Sequence, residues 1–223
     1  MMVVTHKWRG GQWSPALVAV AFLLGGCRHG ADSDTAQVRL INAVPDPGEL
    51  SVAVDGHPVW KRSPYRNNTG YQKIHQGRYN VAVAAGGPAA SKAIEFEKGK
   101  EYTVVALGTA RTTPPAFRVF ADTPGEVIPD GKTRLHFINA VPSLGRVDIL
   151  FNNIVGLQRV AAGHRSDALL LDSGTYDIKV NGAGDVASLV GPISLRLESG
   201  RSYTLVVMGR RQDGGLTLEA YSD

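Results

Sequence analysis

An internal repeat constrains the possible folds of this chain more than any other feature of its sequence. Residues 41–45 (INAVP) recur as residues 138–142, at an offset of 97 positions. Residues 102–105 (YTVV) recur as YTLV at an offset of 101, so the second copy carries a four-residue insertion between the two motifs. Two copies of one pattern predict two modules of the same fold, each with its own core.

Both copies show the hydrophobic period of β-strands. Residues 50–54 (LSVAV) and 147–151 (VDILF) alternate between apolar and smaller or polar side chains, as half-buried strands do. A hairpin-turn signal follows each, Asp-Gly in the first copy and Asn-Asn in the second. Residues 102–107 and 203–208 are almost continuously apolar, which predicts central strands covered on both faces. Glycine and proline punctuate these short runs, and this spacing favours an all-β sandwich over a helical bundle.

The modules are predicted at residues 37–122 and 133–223, with about seven strands each and a linker at residues 123–132. Residues 171–176 (LDSGTY) resemble the tyrosine corner of immunoglobulin-like domains, in which a tyrosine hydroxyl bonds to upstream backbone. Ile178 stands where an antibody domain has its second cysteine. We therefore expect two tandem immunoglobulin-like or prealbumin-like antiparallel β-sandwiches. More strands follow the tyrosine than in an antibody domain, which favours the prealbumin-like order.

Residues 1–26 have the features of a bacterial lipoprotein signal peptide. Lys7 and Arg9 form a positive start, and the apolar run at residues 16–24 is shorter than the roughly 20 residues that span a bilayer. Leu-Gly-Gly directly precedes Cys27, and this sequence resembles the lipobox at which lipoproteins are cleaved and lipidated. Cys27 is the only cysteine in the chain. We therefore predict that its thiol carries the lipid, and that the chain forms no internal disulfide.

The predicted lipid anchors the chain to a membrane of the bacterial cell envelope. Residues 27–36 are then the lipidated cysteine and a short tether, which reaches about 30 Å when extended. The residue after the cysteine is Arg28 and not aspartate, which favours the outer membrane in the sorting pattern of enteric bacteria. The first module is therefore expected to stay close to the membrane surface.

The positive charge is concentrated in this first module. After residues 1–26 are removed, 22 basic and 20 acidic residues remain. Residues 37–122 contain 11 basic and 7 acidic residues, whereas residues 133–223 contain nine of each. A cationic module beside an anionic lipid surface is attracted to that surface.

The opening of each copy resembles the domain of unknown function family 4397. Residues 38–46 (VRLINAVPD) and 134–142 (RLHFINAVP) carry the resemblance, and the later G-x-Y and Y-T-[VL] elements agree with it. Ser143 replaces the aspartate that follows the first copy of the motif. The resemblance covers nearly all of the mature chain and implies a β-sandwich in the envelope, without an activity. We expect the motif's asparagine to cap a turn and its proline to end a strand.

No catalytic, metal or cofactor motif is present in the sequence. The six histidines are scattered, and neither an HExxH motif nor a cysteine cluster occurs. No G-x-S-x-G motif occurs either, and Cys27 is assigned to the lipid. Residues 182–187 (GAGDVA) superficially resemble a dinucleotide-binding loop, but Val-Gly-Pro at 190–192 makes a following helix implausible and predicts a turn. We therefore expect no enzymatic activity, no metal and no cofactor.

One segment differs from its counterpart in the other copy. Residues 60–73 (WKRSPYRNNTGYQK) interleave aromatic and basic side chains, whereas residues 157–170 contain no aromatic residue. Aromatic faces stack on sugars, and cations bind phosphate or carboxylate. The candidate binding residues are Trp60, Lys61, Arg62, Tyr65, Arg66, Tyr71 and Lys73. The alternative is a structural role, because Trp60 aligns with Leu157 and could cover the core.

These observations predict a non-enzymatic, lipid-anchored envelope protein that binds or scaffolds envelope components. Anionic glycan or lipid headgroups are the candidate ligands, and export argues against nucleic acid. The alternative is a structural spacer or assembly subunit that contacts a protein partner through its sandwich edges. An enzyme with an unrecognised site is a third hypothesis.

Overall fold

The computed structural model describes residues 34–45, 50–108, 115–122, 125–212 and 214–222. The predicted signal peptide and Cys27 lie outside these residues. Asp32–Asp223 form one compact unit, which contains both copies of the repeat.

The first copy folds into eight strands that form two four-stranded sheets. The strands are β1 (Thr35–Asn42), β2 (Leu50–Val54), β3 (His57–Ser63), β4 (Gln72–His75), β5 (Gly77–Ala85), β6 (Ala90–Phe96), β7 (Glu101–Leu107) and β8 (Ala116–Asp122). The sheet orders are β4-β1-β7-β8 and β3-β2-β5-β6. Strands β3 and β4 are therefore edge strands of different sheets.

The second copy repeats this arrangement strand by strand. Its strands are β9 (Lys132–Asn139), β10 (Arg146–Phe151), β11 (Ile154–Ala161), β12 (Leu169–Asp172), β13 (Gly174–Gly182), β14 (Ser188–Leu197), β15 (Ser202–Arg210) and β16 (Gly215–Ser222), with a 3₁₀ turn at Pro142–Leu144. The orders β12-β9-β15-β16 and β11-β10-β13-β14 are those of the first copy shifted by eight strands. The prediction of two modules with one fold is confirmed.

The strand order decides between the two sandwich types that the sequence left open. In each module the first strand pairs in parallel with the seventh and antiparallel with the fourth. In an immunoglobulin constant domain the first strand instead shares its sheet with the second, fourth and fifth. The modules therefore have the prealbumin-like strand order, which the sequence favoured. The expected count of about seven strands was one too low, because β4 and β12, at four residues each, are too short for a clear alternation.

The core of each module lies between its two sheets. Strand β2 alternates between buried and half-buried residues, as its sequence predicted. Val52, Val81 and Val104 are among the buried residues of the first core, and the Phe96 ring packs edge-on against Tyr102 with ring centroids 5.0 Å apart. The second module has the equivalent core around Ile149, Val180 and other buried residues.

The predicted turns are present and have equivalent contacts in the two copies. Asp55 and Asn152 open the β2–β3 and β10–β11 turns with φ angles of +48° and +51°, as expected for primed hairpin turns. The Asp55 carboxylate accepts a hydrogen bond from the Asn80 amide at 2.7 Å, and the Asn152 side-chain oxygen accepts one from the Asp177 amide at 2.9 Å. These contacts fix the position of each hairpin against the neighbouring strand of its sheet, which is β5 in the first copy and β13 in the second.

Two further local predictions are also confirmed. The Tyr176 hydroxyl donates to the Asp172 carbonyl at 2.9 Å, so residues 171–176 form a tyrosine corner. The glycine-rich segment is a turn between β13 and β14, where the Gly184 amide donates to the Asp148 carboxylate at 2.9 Å. A strand and not a helix follows it, which excludes the dinucleotide-loop interpretation of this segment.

The asparagine of the INAVP motif has the predicted structural role. Asn42 is buried, donates to the Ser63 carbonyl at 2.8 Å and accepts from the Val44 amide at 3.0 Å. Asn139 donates to two carbonyls at 3.1 and 3.2 Å and accepts from the Val141 amide at 3.3 Å. Each asparagine thereby joins the end of the first strand to the opposite sheet.

Candidate functional site

The outer faces of four central strands form the junction between the two modules. Because strand residues alternate between faces, these strands turn every second side chain away from their own core. In each strand these outward residues are polar at the start and apolar at the end. They are Gln37, Arg39, Ile41 and Ala43 at β1; Glu101, Thr103, Val105 and Leu107 on β7; Arg134, His136, Ile138 and Ala140 at β9; and Ser202, Thr204, Val206 and Met208 on β15.

The apolar ends of these strands pack together across the junction. Ile41, Val105, Ile138 and Val206 are fully buried in one cluster that contains residues of both modules. Ile41 and Ile138 occupy equivalent repeat positions, as do Val105 and Val206, so the junction resembles the isologous interface of a symmetric dimer. The prediction that residues 102–107 and 203–208 are covered on both faces is confirmed, and the second cover is the other module.

Arg39 is buried at the polar side of the junction and is 1 % exposed. Its Nε donates to Thr103 Oγ1 at 2.8 Å, and its Nη2 donates to Thr204 Oγ1 of the second module at 3.1 Å. The guanidinium also lies over the Tyr71 ring, 4.7 Å from the centroid. Arg39 therefore connects residues of both modules.

Asp122 is a second connecting residue, at the end of β8. Its carboxylate accepts hydrogen bonds from Thr103 Oγ1 at 2.6 Å and from the Tyr71 hydroxyl at 3.0 Å. It also pairs with Arg165 of the second module at 2.6 Å, and both side chains of this pair are mostly buried. Arg165 donates in addition to the Ala121 carbonyl. A continuous hydrogen-bond network thus crosses the junction.

A further contact between the modules lies beside the apolar cluster. Arg66 forms an ion pair with Glu219, and the Tyr221 hydroxyl donates to the Arg66 carbonyl at 3.0 Å. Burial raises the pKa of Tyr221, and the nearby Glu219 carboxylate raises it further. Burial also raises the pKa of Tyr65, which packs against the same cluster. Both phenols therefore lose their protons only at a higher pH than an exposed tyrosine does.

A cleft of about 440 Å³ opens where the polar strand starts of the two modules face each other. Its lining includes Glu101 and Tyr71 of the first module and Arg134 of the second. Arg134 is mostly buried and pairs with Glu126 at 3.1 Å. The cleft thus contains both carboxylates and cations, which partly neutralise each other, so the cleft itself has no strong net charge. It can offer hydrogen bonds to a polar molecule.

The structure separates the seven candidate binding residues into three locations. Trp60 is buried in the core of the first module. Tyr65, Arg66 and Tyr71 contact the junction. The remaining three, Lys61 and Arg62 on β3 and Lys73 on β4, are exposed on edge strands.

Sequence reasoning missed the residues that hold the junction together, above all Arg39, Asp122 and Arg165. Arg39 lies two residues before the repeated INAVP motif. A single charged residue in a strand is typical of positions that face solvent, so the sequence did not indicate that Arg39 is buried. The one available signal was the continuous apolar character of β7 and β15, which indicates a second buried face but not what covers it.

Metal-ligand clusters and long apolar helices are both absent from the described residues. Within the ranges given above, no group of three or more histidine, cysteine, aspartate or glutamate side chains could hold a metal ion. Over the same ranges, no helix has the length and apolar character needed to cross a membrane.

The fold and the junction define a protein of two tandem, mutually packed β-sandwich modules. A family model described as a domain of unknown function (DUF4397) matches residues 36–150 and 133–223, and the overlapping matches agree with two copies of the domain. The chain therefore belongs to the DUF4397 family. No curated protein matches it.

Proposed function

We propose that this protein is a lipid-anchored, non-enzymatic binding protein of the bacterial cell envelope, whose first module binds anionic glycan or lipid headgroups. The observation that carries the proposal is the group of exposed cations Lys61, Arg62 and Lys73 on the edge strands β3 and β4. The equivalent residues of the second module are Gln158, Arg159 and Leu170, which supply one cation instead of three.

The predicted lipid anchor supports this assignment. Eight positions separate Cys27 from Thr35, the first residue of β1. A lipid on Cys27 would therefore hold the cationic module within about 30 Å of the membrane surface. The junction supports a scaffolding role as well, because a ligand bound by the first module would also position the second.

The electrostatic contribution can be estimated. A cation close to an anionic surface contributes roughly 1 kcal/mol, so three contribute about 3 kcal/mol, which is roughly a hundredfold in affinity. This attraction is screened by salt, because the Debye length falls from about 10 Å at 0.1 M to about 3 Å at 1 M.

The test is co-sedimentation of residues 32–223 with peptidoglycan sacculi, lipopolysaccharide and anionic vesicles, from about 50 to about 500 mM NaCl. We expect salt-sensitive binding that the Lys61→Ala/Arg62→Ala/Lys73→Ala variant loses. The Arg146→Ala/Arg196→Ala/Arg211→Ala variant removes three exposed cations from the second module and serves as the matched control. Arg66 stays intact, because its loss would also break the ion pair with Glu219. Equal binding by both variants would refute the role of the first module.

A second function is favoured by exposed apolar side chains in the second module. Ile154 and Val155 on edge strand β11 are 73 % and 42 % exposed, and Leu170 on edge strand β12 is 49 % exposed. Exposed apolar edges are typical sites of strand pairing with another protein. An assembly subunit would contact its protein partner through these exposed residues of β11 and β12. In that case Ile154→Lys would abolish the recovery of a stoichiometric partner after cross-linking in cells.

A further inference from the structure

The cleft at the junction has walls of opposite charge. The first module contributes the carboxylates of Glu101 and Asp122 to its lining. The second module contributes the guanidinium groups of Arg134 and Arg201, and among the described residues neither of them forms an ion pair with the acidic wall. The cleft volume of about 440 Å³ lies within the range of about 300–1,000 Å³ that is typical of small-molecule sites.

Arg134 is the buried cation of the basic wall. Its side chain is 6 % exposed, whereas its partner Glu126, in the linker, is 63 % exposed and also lines the cleft. Arg134 Nη2 lies 3.1 Å from Glu126 Oε2. Because both members of the pair line the cleft, the guanidinium edge that holds this carboxylate lies at the cleft wall. The pair shows that Arg134 accepts a carboxylate from the side of the cleft.

Glu126 is a partner that a ligand can replace. A buried guanidinium needs an anionic partner, because an uncompensated buried charge is strongly destabilising. An exposed carboxylate gains little from an ion pair, since water solvates it equally well. The carboxylate of a bound molecule can therefore take the place of Glu126. Arg201 supports this exchange, because it is 57 % exposed and its pairing with Glu198 at 3.5 Å is equally exposed.

Glu101 is the carboxylate of the acidic wall that is best placed for a ligand cation. It lies opposite Asp122 in the antiparallel pairing of β7 with β8, and Asp122 already accepts hydrogen bonds from three side chains. Glu101 is half-buried and accepts a hydrogen bond from the neutral amide of Gln37 at 2.9 Å. Because a carboxylate offers about four acceptor positions, Glu101 can also accept hydrogen bonds from an ammonium group.

We propose that the cleft binds a short peptide in its zwitterionic form, with a free ammonium group and a free carboxylate. The ammonium group binds Glu101 of the first module. The carboxylate replaces Glu126 on Arg134 of the second module and contacts Arg201. A simple anion is repelled by the first wall and a simple cation by the second, so only a ligand with both charges is attracted at both ends.

The separation of the two walls favours a peptide over a free amino acid. Both charged groups of an amino acid are bound to the same carbon atom, whereas each further residue moves them apart by up to about 3.3–3.6 Å. The walls belong to different modules, so a ligand that touches both must extend across the cleft. This site lies apart from the exposed cations of β3 and β4, and the inference therefore goes beyond the proposed function.

Calorimetric titration of residues 32–223 with the dipeptide alanyl-alanine tests the inference. Three comparison ligands each lack one feature: the N-acetylated dipeptide has no ammonium group, the dipeptide amide has no carboxylate, and free alanine is too short. Loss of a hydrogen bond between charged partners weakens binding about tenfold or more. We therefore expect each comparison ligand to bind at least about tenfold more weakly than alanyl-alanine.

Three variants assign the ends of the dipeptide to the two walls. Glu101→Gln keeps the shape of the side chain and removes its charge, so it should bind alanyl-alanine no more tightly than the N-acetylated dipeptide. Arg201→Gln should weaken the binding of alanyl-alanine several-fold and leave that of the dipeptide amide unchanged. Glu126→Ala removes the competing carboxylate and should bind alanyl-alanine about two- to fivefold more tightly.

The matched controls are Glu95→Gln in the first module and Arg196→Gln in the second, which change exposed residues outside the cleft and should bind like the unmodified protein. Equal binding of alanyl-alanine and either blocked dipeptide would overturn the inference. Absence of binding at up to about 10 mM dipeptide would overturn it as well. Weaker binding by Glu126→Ala would contradict the exchange of carboxylates at Arg134. If Glu101→Gln does not fold, the four ligands still decide the question with the unmodified protein.

Discussion

Replacement of Arg39 by alanine is the sharpest test of how the two modules are joined. The side chain is buried, donates to Thr103 and Thr204 at 2.8 and 3.1 Å, and lies 4.7 Å from the centroid of the Tyr71 ring. The change removes the only charged group among these four residues, while the Asp122 carboxylate keeps its pairing with Arg165.

The expected loss follows from these contacts. A hydrogen bond from a charged donor contributes about 1.5–3 kcal/mol, and a desolvated cation–π contact about 2 kcal/mol. Removing the cost of burying the charge offsets part of the sum. We therefore expect Arg39→Ala to lower the free energy of unfolding by about 3 kcal/mol, equivalent to a melting temperature lower by about 6–12 °C for a unit of this size.

Urea denaturation of residues 32–223 measures this change. Trp60 fluorescence reports on the first module, and far-ultraviolet circular dichroism reports on the strands of both. Arg78→Ala is the matched control, because Arg78 is an exposed arginine on β5 of the same module, and it should change stability by less than about 0.5 kcal/mol. A loss below about 1 kcal/mol for Arg39→Ala would contradict the connecting role that we assign to this residue.

Two further predictions concern the motif and the phenols. Asn139→Ala removes three hydrogen bonds of a fully buried side chain. It should lower the free energy of unfolding, measured by urea denaturation, by about 2–4 kcal/mol. A loss below about 0.5 kcal/mol would show that the motif asparagine is dispensable. The folded-state pKa of Tyr221 is raised above the ordinary tyrosine value of 10.0, so the unfolded chain loses this proton first as the pH rises. The protonated Tyr221 hydroxyl therefore stabilises the fold below about pH 10, and this stabilisation is lost as the pH rises further. Thermal unfolding between about pH 9 and pH 11 should therefore show a smaller decline for Tyr221→Phe than for the unmodified protein, and parallel declines would contradict this assignment.

Local features of the fold were predictable because short-range rules decide them. The alternation in β2, the primed turn at Asp55 and the hydrogen bond of the Tyr176 corner depend on residues close in the chain or on one neighbouring strand. The repeat doubled this information, since each signal occurred again in the second copy. The short strands β4 and β12 escaped detection because four residues carry too little alternation.

The candidate site was only partly predictable. The segment at residues 60–73 was identified from its composition, but its side chains serve different structures: Trp60 lies in the core, Arg66 and Tyr71 at the junction, and Lys61 at an exposed edge. Composition describes which groups a segment contains. Only their placement on particular strand faces shows which of them are available to a ligand.

The sequence by itself determined that the chain has two β-modules of one fold, with residues 102–107 and 203–208 as central strands. Tertiary structure alone decided the strand order and the partner of the outer faces. The physical reason is that an apolar strand face must be buried, but its sequence does not show which surface buries it. The packing of Ile41 with Ile138 in one cluster and the hydrogen bond from Arg39 to Thr204 join positions up to 165 residues apart. Such contacts exist only once both sandwiches have formed.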